Sequence, residues 1–191
     1  MARRLVGVAA VALAALSLAA SANANPNPQV AGLQVALRAY GLYAGPIDAI
    51  AGPLTVSATK AFQRRAGLIV DGRAGPRTRR ALGPIGRPLF GRRVMRAGTF
   101  GWDVAVLQFL LARRGALVPV DGYFDGPTAR AVRKYQRARR LQVDGVVGPQ
   151  TMAALARGRL GYRPRAIRAP RGVRALLGQW ARFYGLDSRL V

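Results

Sequence analysis

The chain contains an internal repeat. Five positions within residues 30–41 recur 74 residues later, and ten positions within residues 55–82 recur 73 residues later. The first set is Val30, Leu33, Gln34, Leu37 and Gly41, and the second is Thr55, Ala58, Gln63, Arg64, Leu68, Asp71, Gly75, Pro76, Thr78 and Leu82. Agreement at so many spaced positions is typical of repeated structural units, and it predicts two homologous modules of about 55 residues each.

The apolar residues of each copy follow helical spacing. Val104, Leu107 and Leu111 fall at i, i+3 and i+7, which gives one buried face of a helix. Gly41 and Gly115 stand where a left-handed residue would end the first helix of each copy. The pattern predicts an all-α fold.

A short motif occurs four times, as IDAIAGPLT, VDGRAGPRT, VDGYFDGPT and VDGVVGPQT. Asp-Gly favours a tight turn, and Gly-Pro-x-Thr favours the first turn of a helix. We therefore interpret the motif as a structural joint between helices rather than as a repeated catalytic carboxylate. The residues assigned to this joint are Asp48, Thr55, Asp71, Gly72, Gly75, Thr78, Asp121, Gly122, Thr128, Asp144, Gly145, Gly148 and Thr151.

The composition narrows the possible chemistry. The chain has no Cys, no His and no Glu, so all seven acidic residues are Asp. An ordinary zinc site and a Ser-His or Cys-His nucleophile pair both need residues that are missing. The sequence thus favours a binding protein over an enzyme, and it predicts neither a metal nor a cofactor.

The N-terminus has the three-part pattern of a secretory signal peptide. Arg3 and Arg4 precede an apolar run over residues 5–20, and Ala22-Asn23-Ala24 offers a small-x-small cleavage site. We predict a signal peptide over residues 1–24, with an uncleaved anchor helix as the alternative. The expected location is outside the cytoplasm, in the cell wall or periplasm, with no membrane span after cleavage.

The net charge is strongly positive. It is +24, and it falls to +22 when Arg3 and Arg4 leave with the signal peptide. Such an excess attracts polyanions, and acidic wall polymers are expected partners, although the charge could equally do no more than keep small domains soluble. Nucleic acid is not an expected partner, because no groove-reading motif is present and the chain is predicted to be secreted. A monomer is expected.

Both copies resemble the peptidoglycan-binding domain that accompanies many bacterial wall hydrolases. The resemblance rests on Leu-Gln in the first helix, Phe-Gln or Tyr-Gln in the second helix, an Asp-Gly-x-x-Gly-Pro-x-Thr turn after the second helix, and a looser version of this turn before it. It covers residues 28–83 and 98–156, with 84–97 as a linker, and implies two tandem three-helix bundles. Three positions depart from the usual pattern, namely Ala49, Ala51 and Asp125. The departure at Ala49 is expected to loosen its turn.

Six side chains are candidates for ligand contact. Sugars stack on aromatic faces, and arginine forks bind the carboxylates of wall peptides. The candidates are Tyr40, Tyr43, Arg64, Trp102, Tyr123 and Arg137. Core packing is the alternative for Trp102. A flexible linker over residues 84–97 would span about 20 Å and let two weak modules bind one polymer together.

The C-terminal part changes character twice. Residues 157–171 are rich in Arg, Pro and Gly and are predicted to be a second linker. Residues 172–191 return to helical spacing and resemble the opening helix of the soluble lytic transglycosylase domain, with an isolated amphipathic helix as the alternative. The sequence therefore predicts a secreted, non-catalytic peptidoglycan-binding protein. The alternative is the wall-targeting part of a lytic transglycosylase, cut before its catalytic Glu.

Overall fold

Six α-helices follow one another in the computed structural model, which describes residues 26–157. They are α1 (Pro28–Ala39), α2 (Pro53–Arg65), α3 (Pro76–Ala81), α4 (Trp102–Ala112), α5 (Gly126–Ala138) and α6 (Pro149–Arg157). A short 3₁₀ helix, Gly83–Gly86, follows α3. The described residues form no strand, only isolated bridges, and the all-α prediction is confirmed. The predicted signal peptide, most of the Arg-rich linker and the C-terminal helix lie outside the described residues.

Local chemistry explains where the helices begin and end. Proline occupies the first turn of five of them, where its missing N–H leaves no hydrogen bond unmade. Asp125, which stands where the family pattern has Gly, caps α5 by accepting a 2.8 Å hydrogen bond from the Thr128 N–H. Gly41 and Gly115 adopt φ of +70° and +86°, two and three residues after the last residues of α1 and α4. A left-handed glycine therefore follows each helix, as the sequence predicts.

The centre of the structure is α4. Every residue of this helix except Ala112 is buried, which an isolated three-helix bundle could not achieve. The burial comes from α1, which packs along α4. Core residues of both modules consequently form one continuous cluster, with Leu37 and Phe62 from the first and Leu107 and Val132 from the second.

Trp102 fixes the contact between α1 and α4. Its indole Nε1 donates a 2.9 Å hydrogen bond to Gln29 Oε1 on α1, and its ring is buried. The ring lies directly over Gly32, where an added Cβ would stand 2.5 Å from Nε1. The two helices can approach this closely only because position 32 carries no side chain.

The segment 84–97 is packed rather than flexible. Ile85 and Met95 are buried, and Met95 forms an antiparallel bridge with Val147 in the second module. Arg93 Nε donates to Asp103 Oδ2 at 2.7 Å, and this bond raises the pKa of the Arg93 guanidinium. The expectation of a free tether therefore needs correction, because its apolar residues find partners in the shared core. The two modules are held at one spacing.

Gly32→Ala should weaken this interface. The new methyl group would clash with the Trp102 ring, and overpacking of this kind costs about 1–3 kcal/mol of unfolding free energy. Urea denaturation followed by tryptophan fluorescence would measure the loss. Gly75→Ala is the matched control, since its φ is −67° and an added Cβ would meet no atom within 4 Å. Equal stability of the two variants would contradict the close α1–α4 contact.

Candidate functional site

A buried glutamine organises the first copy of the repeated motif. Gln34 Nε2 donates to Asp48 Oδ1 at 2.6 Å, to the Ile50 carbonyl at 3.1 Å and to Thr55 Oγ1 at 3.1 Å. Its Oε1 accepts a 3.0 Å hydrogen bond from the Ala49 N–H. The side chain of Gln34 is fully buried. We call this arrangement of glutamine, aspartate, threonine and turn backbone a glutamine clamp.

Three more clamps repeat the same geometry. In each, the glutamine amide donates to an Asp Oδ1 at 2.7–2.9 Å and accepts from the N–H of the following glycine at 2.8–2.9 Å. Each Asp Oδ1 also accepts from the backbone N–H two residues later. The remaining clamps are Gln63–Asp71–Thr78, Gln108–Asp121–Thr128 and Gln136–Asp144–Thr151. In all four copies the carboxylate is committed to holding a turn.

The residue after each aspartate needs a left-handed backbone. Gly72, Gly122 and Gly145 have φ of +75°, +82° and +77°. Ala49 takes the same conformation with φ of +64°, which costs an L-residue about 1–2 kcal/mol. Its methyl group is buried against Ala31 and Phe109, and burial of one methyl returns about 0.8 kcal/mol. Packing therefore offsets part of the cost of replacing glycine, and the first clamp keeps its hydrogen bonds.

Two clamp carboxylates have lowered pKa values. For Asp71 the hydrogen bond from the Arg73 N–H has the largest effect, followed by the bond from Gln63. Asp144 is lowered in the same way by the Val146 N–H and then by Gln136. These hydrogen bonds stabilise the ionised form, so neither group is tuned to hold a proton for general acid catalysis near neutral pH.

Two of the six candidate ligand residues are buried. Tyr43 donates a 2.7 Å hydrogen bond to the Pro46 carbonyl and accepts one of 3.0 Å from Gln34 Nε2, and burial raises the pKa of its hydroxyl. Trp102 is enclosed between α1 and α4. Neither ring offers an open face to a sugar, and both act in packing instead. For Trp102, this burial agrees with core packing, the alternative that the sequence offered to ligand contact.

The other four candidates lie at the surface. Tyr40 is 37% exposed and packs its edge against Phe62, with ring centroids 5.1 Å apart. Tyr123 is 50% exposed, and Arg64 and Arg137 project from equivalent positions on α2 and α5. These four side chains do not line the three grooves described below.

Phe100 lies beside the candidate Tyr123, although the sequence did not indicate it as a ligand contact. The two residues face each other in an antiparallel bridge, flanked by hydrogen bonds from Gly101 N–H to the Gly122 carbonyl and from Phe124 N–H to the Thr99 carbonyl. This is a non-hydrogen-bonded pair, in which side chains leave the same face with Cα atoms about 4.5 Å apart. Both rings are about half exposed. Together they form an aromatic pair that only the pairing of two loops creates.

Among the grooves of the described surface are three of modest size. The second-module groove has a volume of about 230 Å³ and lies between the end of α4 and α5. The first-module groove, about 390 Å³, lies between the end of α1 and α2. A third, about 460 Å³, adjoins the Gln63 clamp. Residues 26–157 contain no cluster of His, Cys, Asp or Glu that could hold a metal ion, and none of their helices is long and apolar enough to cross a membrane.

Comparison with known proteins decides the family. Residues 26–82 and 101–155 each match the peptidoglycan binding domain family. The chain belongs to this family. The matched ranges agree closely with the modules that the repeat predicts, so the recognition made from the sequence is confirmed.

Curated relatives are wall amidases. The chain is 39% identical over 125 residues to the N-acetylmuramoyl-L-alanine amidase CwlM of Mycobacterium tuberculosis, covering 62% of this chain and 31% of the relative. It is 35% identical over 124 residues to the amidase CwlL of Bacillus licheniformis, covering 53% and 34%. The chain thus spans about a third of the length of these relatives. Neither supports an association with lytic transglycosylases, and the helix that suggested it lies outside the described residues.

Two solved structures are also similar. One is a peptidoglycan-binding protein of Clostridioides difficile in complex with glutamine hydroxamate, at 35% identity and a TM-score of 0.34 over 34% of this chain and 41% of that one. The other is the endolysin of the Burkholderia phage AP3, at 32% identity and a TM-score of 0.34 over 50% and 34%.

Removing one clamp glutamine should cost much of the stability. Gln136→Leu keeps the size of the side chain but leaves several buried polar groups of the turn without partners, which costs about 2–4 kcal/mol. Gln150→Leu on α6 is the control, because Gln150 is exposed. Urea denaturation of both variants would measure the difference. A Gln136 variant as stable as the control would show that the clamp contributes nothing.

The clamps should also make the fold sensitive to acid. An Asp whose pKa is lowered in the native state stabilises the fold when the pH is above its pKa in the unfolded chain, about 3.9. This contribution disappears as the pH falls through the native pKa. Melting temperatures measured from pH 6 to pH 2.5 should therefore fall steeply below about pH 4. The double variant Asp71→Asn, Asp144→Asn retains the Oδ1 acceptors and should fall less steeply. If the melting temperature fell equally steeply with pH in the double variant and in the unmodified chain, Asp71 and Asp144 would not be the source of the acid sensitivity.

Proposed function

We propose that this chain is a non-catalytic anchor that attaches to peptidoglycan through both modules at once. The observation that carries the proposal is the α1–α4 interface, which joins two members of a peptidoglycan-binding family into one body. Two sites on one body at a fixed spacing reinforce each other on a polymer when the spacing matches the ligand repeat. The polymer lies outside the cytoplasm, which agrees with the predicted signal peptide.

The residue composition supports a binding role. Glycosidic cleavage needs a protonated carboxylic acid beside the leaving oxygen, and the chain contains no Glu. Its clamp aspartates hold turns, and Asp103 is bound to Arg93. Without His or Cys the chain also lacks the usual ligands of a catalytic zinc ion.

Exposed side chains offer two kinds of contact. The aromatic pair Phe100–Tyr123 and the half-exposed ring of Tyr40 present faces for pyranose rings. Arg64 and Arg137 present guanidinium forks for peptide carboxylates. The remaining positive charge adds a salt-sensitive attraction to anionic wall polymers.

A second candidate function is the targeting part of a larger wall hydrolase. The observation that favours it is the coverage of the curated relatives, which are amidases about three times as long as the matched segment. Under this proposal the modules hold a separate catalytic domain at the wall. The binding chemistry is the same in both cases.

The full chain should pellet with insoluble peptidoglycan sacculi and release no soluble muropeptides. Phe100→Ala, Tyr123→Ala should weaken binding by about 2- to 10-fold at high salt, since aromatic contacts of this kind are worth about 0.5–1.5 kcal/mol. Leu117→Ala is the control, because Leu117 is 99% exposed and equally apolar. Release of muropeptides by the pure chain would overturn the non-catalytic role. A chain that stays in the supernatant at both low and high salt would overturn wall binding itself.

A further inference from the structure

The second-module groove contains a buried hydroxyl whose hydrogen has no acceptor. Tyr135 lines the groove with only 8% of its surface exposed, and Arg114, the side chain that interacts with its hydroxyl oxygen, can only donate. Buried polar groups in native proteins are nearly always paired, so such a hydroxyl indicates a partner that arrives from outside. The floor around it is apolar, formed by Leu111, Ala116 and Ala131.

The side chains around this hydroxyl are cations. Arg114 and Arg139 place their guanidinium carbons 5.7 and 5.6 Å from the centre of the Tyr135 ring, and Lys134 also lines the groove. Arginine and lysine donate hydrogen bonds but cannot accept them. The tyrosine hydrogen therefore has no acceptor among these neighbours. The group that the groove lacks is an acceptor, and a negatively charged acceptor fits best.

The three cations, Arg114, Lys134 and Arg139, differ in their hydrogen bonds and exposure. Arg114 donates to the Leu110 carbonyl at 2.8 Å and to the Leu155 carbonyl at 2.7 Å, so it ties α4 to α6. Lys134 and Arg139 are exposed, and within residues 26–157 the ion pair that forms is the one between Arg93 and Asp103. Lys134 and Arg139 thus remain available to an anion. Desolvation lowers the pKa of Arg114, and an anion in the groove would compensate its buried charge.

The first module lacks this chemistry at the corresponding positions. Leu42 and Ala58 stand at the positions of Ala116 and Ala131, so the apolar floor is present in both. The four polar positions of the second-module groove are all different in the first. The first module has Tyr40 in place of Arg114 and Ala61 in place of Lys134. It has Phe62 in place of Tyr135 and Ala66 in place of Arg139. The second-module groove therefore has three cations around a buried hydroxyl, whereas the corresponding positions of the first module hold one cation, Arg65 at the position of Ala138.

We propose that the second-module groove binds a carboxylate-bearing peptide, with Tyr135 donating to a carboxylate oxygen and Lys134 and Arg139 neutralising its charge. The inference rests on the proposed function, in which the ligand is the peptide part of the wall. The volume of about 230 Å³ is below the range of about 300–1,000 Å³ of sites for drug-sized ligands, so it suits one terminal residue rather than a glycan chain.

A matched pair of peptides tests the proposal on the full chain. The probes are N-acetyl-alanyl-alanine with a free carboxylate and the same dipeptide with a C-terminal amide, and titration calorimetry measures both. The acid should bind about 10-fold more tightly than the amide, as expected for a charge-assisted hydrogen bond. Tyr135→Phe, which introduces the residue type of Phe62, should remove most of this preference.

Two control measurements separate recognition from folding. Tyr135→Phe removes a buried hydroxyl whose hydrogen has no acceptor, so it should leave the melting temperature unchanged or raised. Lys134→Ala, Arg139→Ala should also remove the preference, whereas the charge-matched Lys60→Ala, Arg130→Ala should keep it. Equal affinity for acid and amide in the unmodified chain, no detectable binding of either, or an unchanged preference in both groove variants would overturn the proposal.

Binding to sacculi distinguishes this inference from the proposed function. A chain that pellets with sacculi but does not prefer the acid leaves wall binding intact and removes the carboxylate site. A chain that prefers the acid but does not pellet keeps the groove and removes wall anchoring. The two results can therefore fail independently.

Discussion

The fold depends on four buried primary amides. Each clamp glutamine is almost completely enclosed, and a buried amide is tolerated only when its donors and acceptor are paired. The aspartate, the threonine hydroxyl and the turn backbone supply these partners together, so the loss of any one leaves others unpaired. Because the partners come from one helix, the following turn and the start of the next helix, the clamp fixes how consecutive helices cross. A module of about 55 residues has too small a core to do this by packing alone.

The clamps also explain why two modules join so closely. With the turns held by polar bonds, the outer faces of α1 and α4 are free to be apolar and to bury each other. Gly32 and Trp102 then set the distance between them. The segment 84–97 adds Ile85 and Met95 to the same core. Under the proposed function, paired binding is governed by this fixed geometry rather than by linker length.

The features that sequence reasoning predicted are local ones. Helix ends at Gly41 and Gly115 and the turns at the four Asp motifs depend on residues a few positions apart, and their chemistry is visible in the chain. The features that it missed depend on contacts between distant segments. Burial of Tyr43 depends on Gln34 of α1, burial of Trp102 depends on α1 of the other module, and the Phe100–Tyr123 pair exists only because two loops meet. In the segment between the modules, the apolar residues Ile85 and Met95 are the sequence signal for packing.

The comparison of the two modules separates residues that fold from residues that recognise. All four clamps use Gln, Asp and Thr, and where the pattern varies, as at Ala49, packing offsets part of the strain. The grooves differ at every position that carries a charge or a hydroxyl, including Phe62 against Tyr135 and Ala61 against Lys134. The buried amides do not need the side chains of the groove walls, so these positions can differ between the copies while the clamps are kept. Under the proposed function, two copies of one scaffold thus offer different side chains to the same polymer, while their shared core holds them at one spacing.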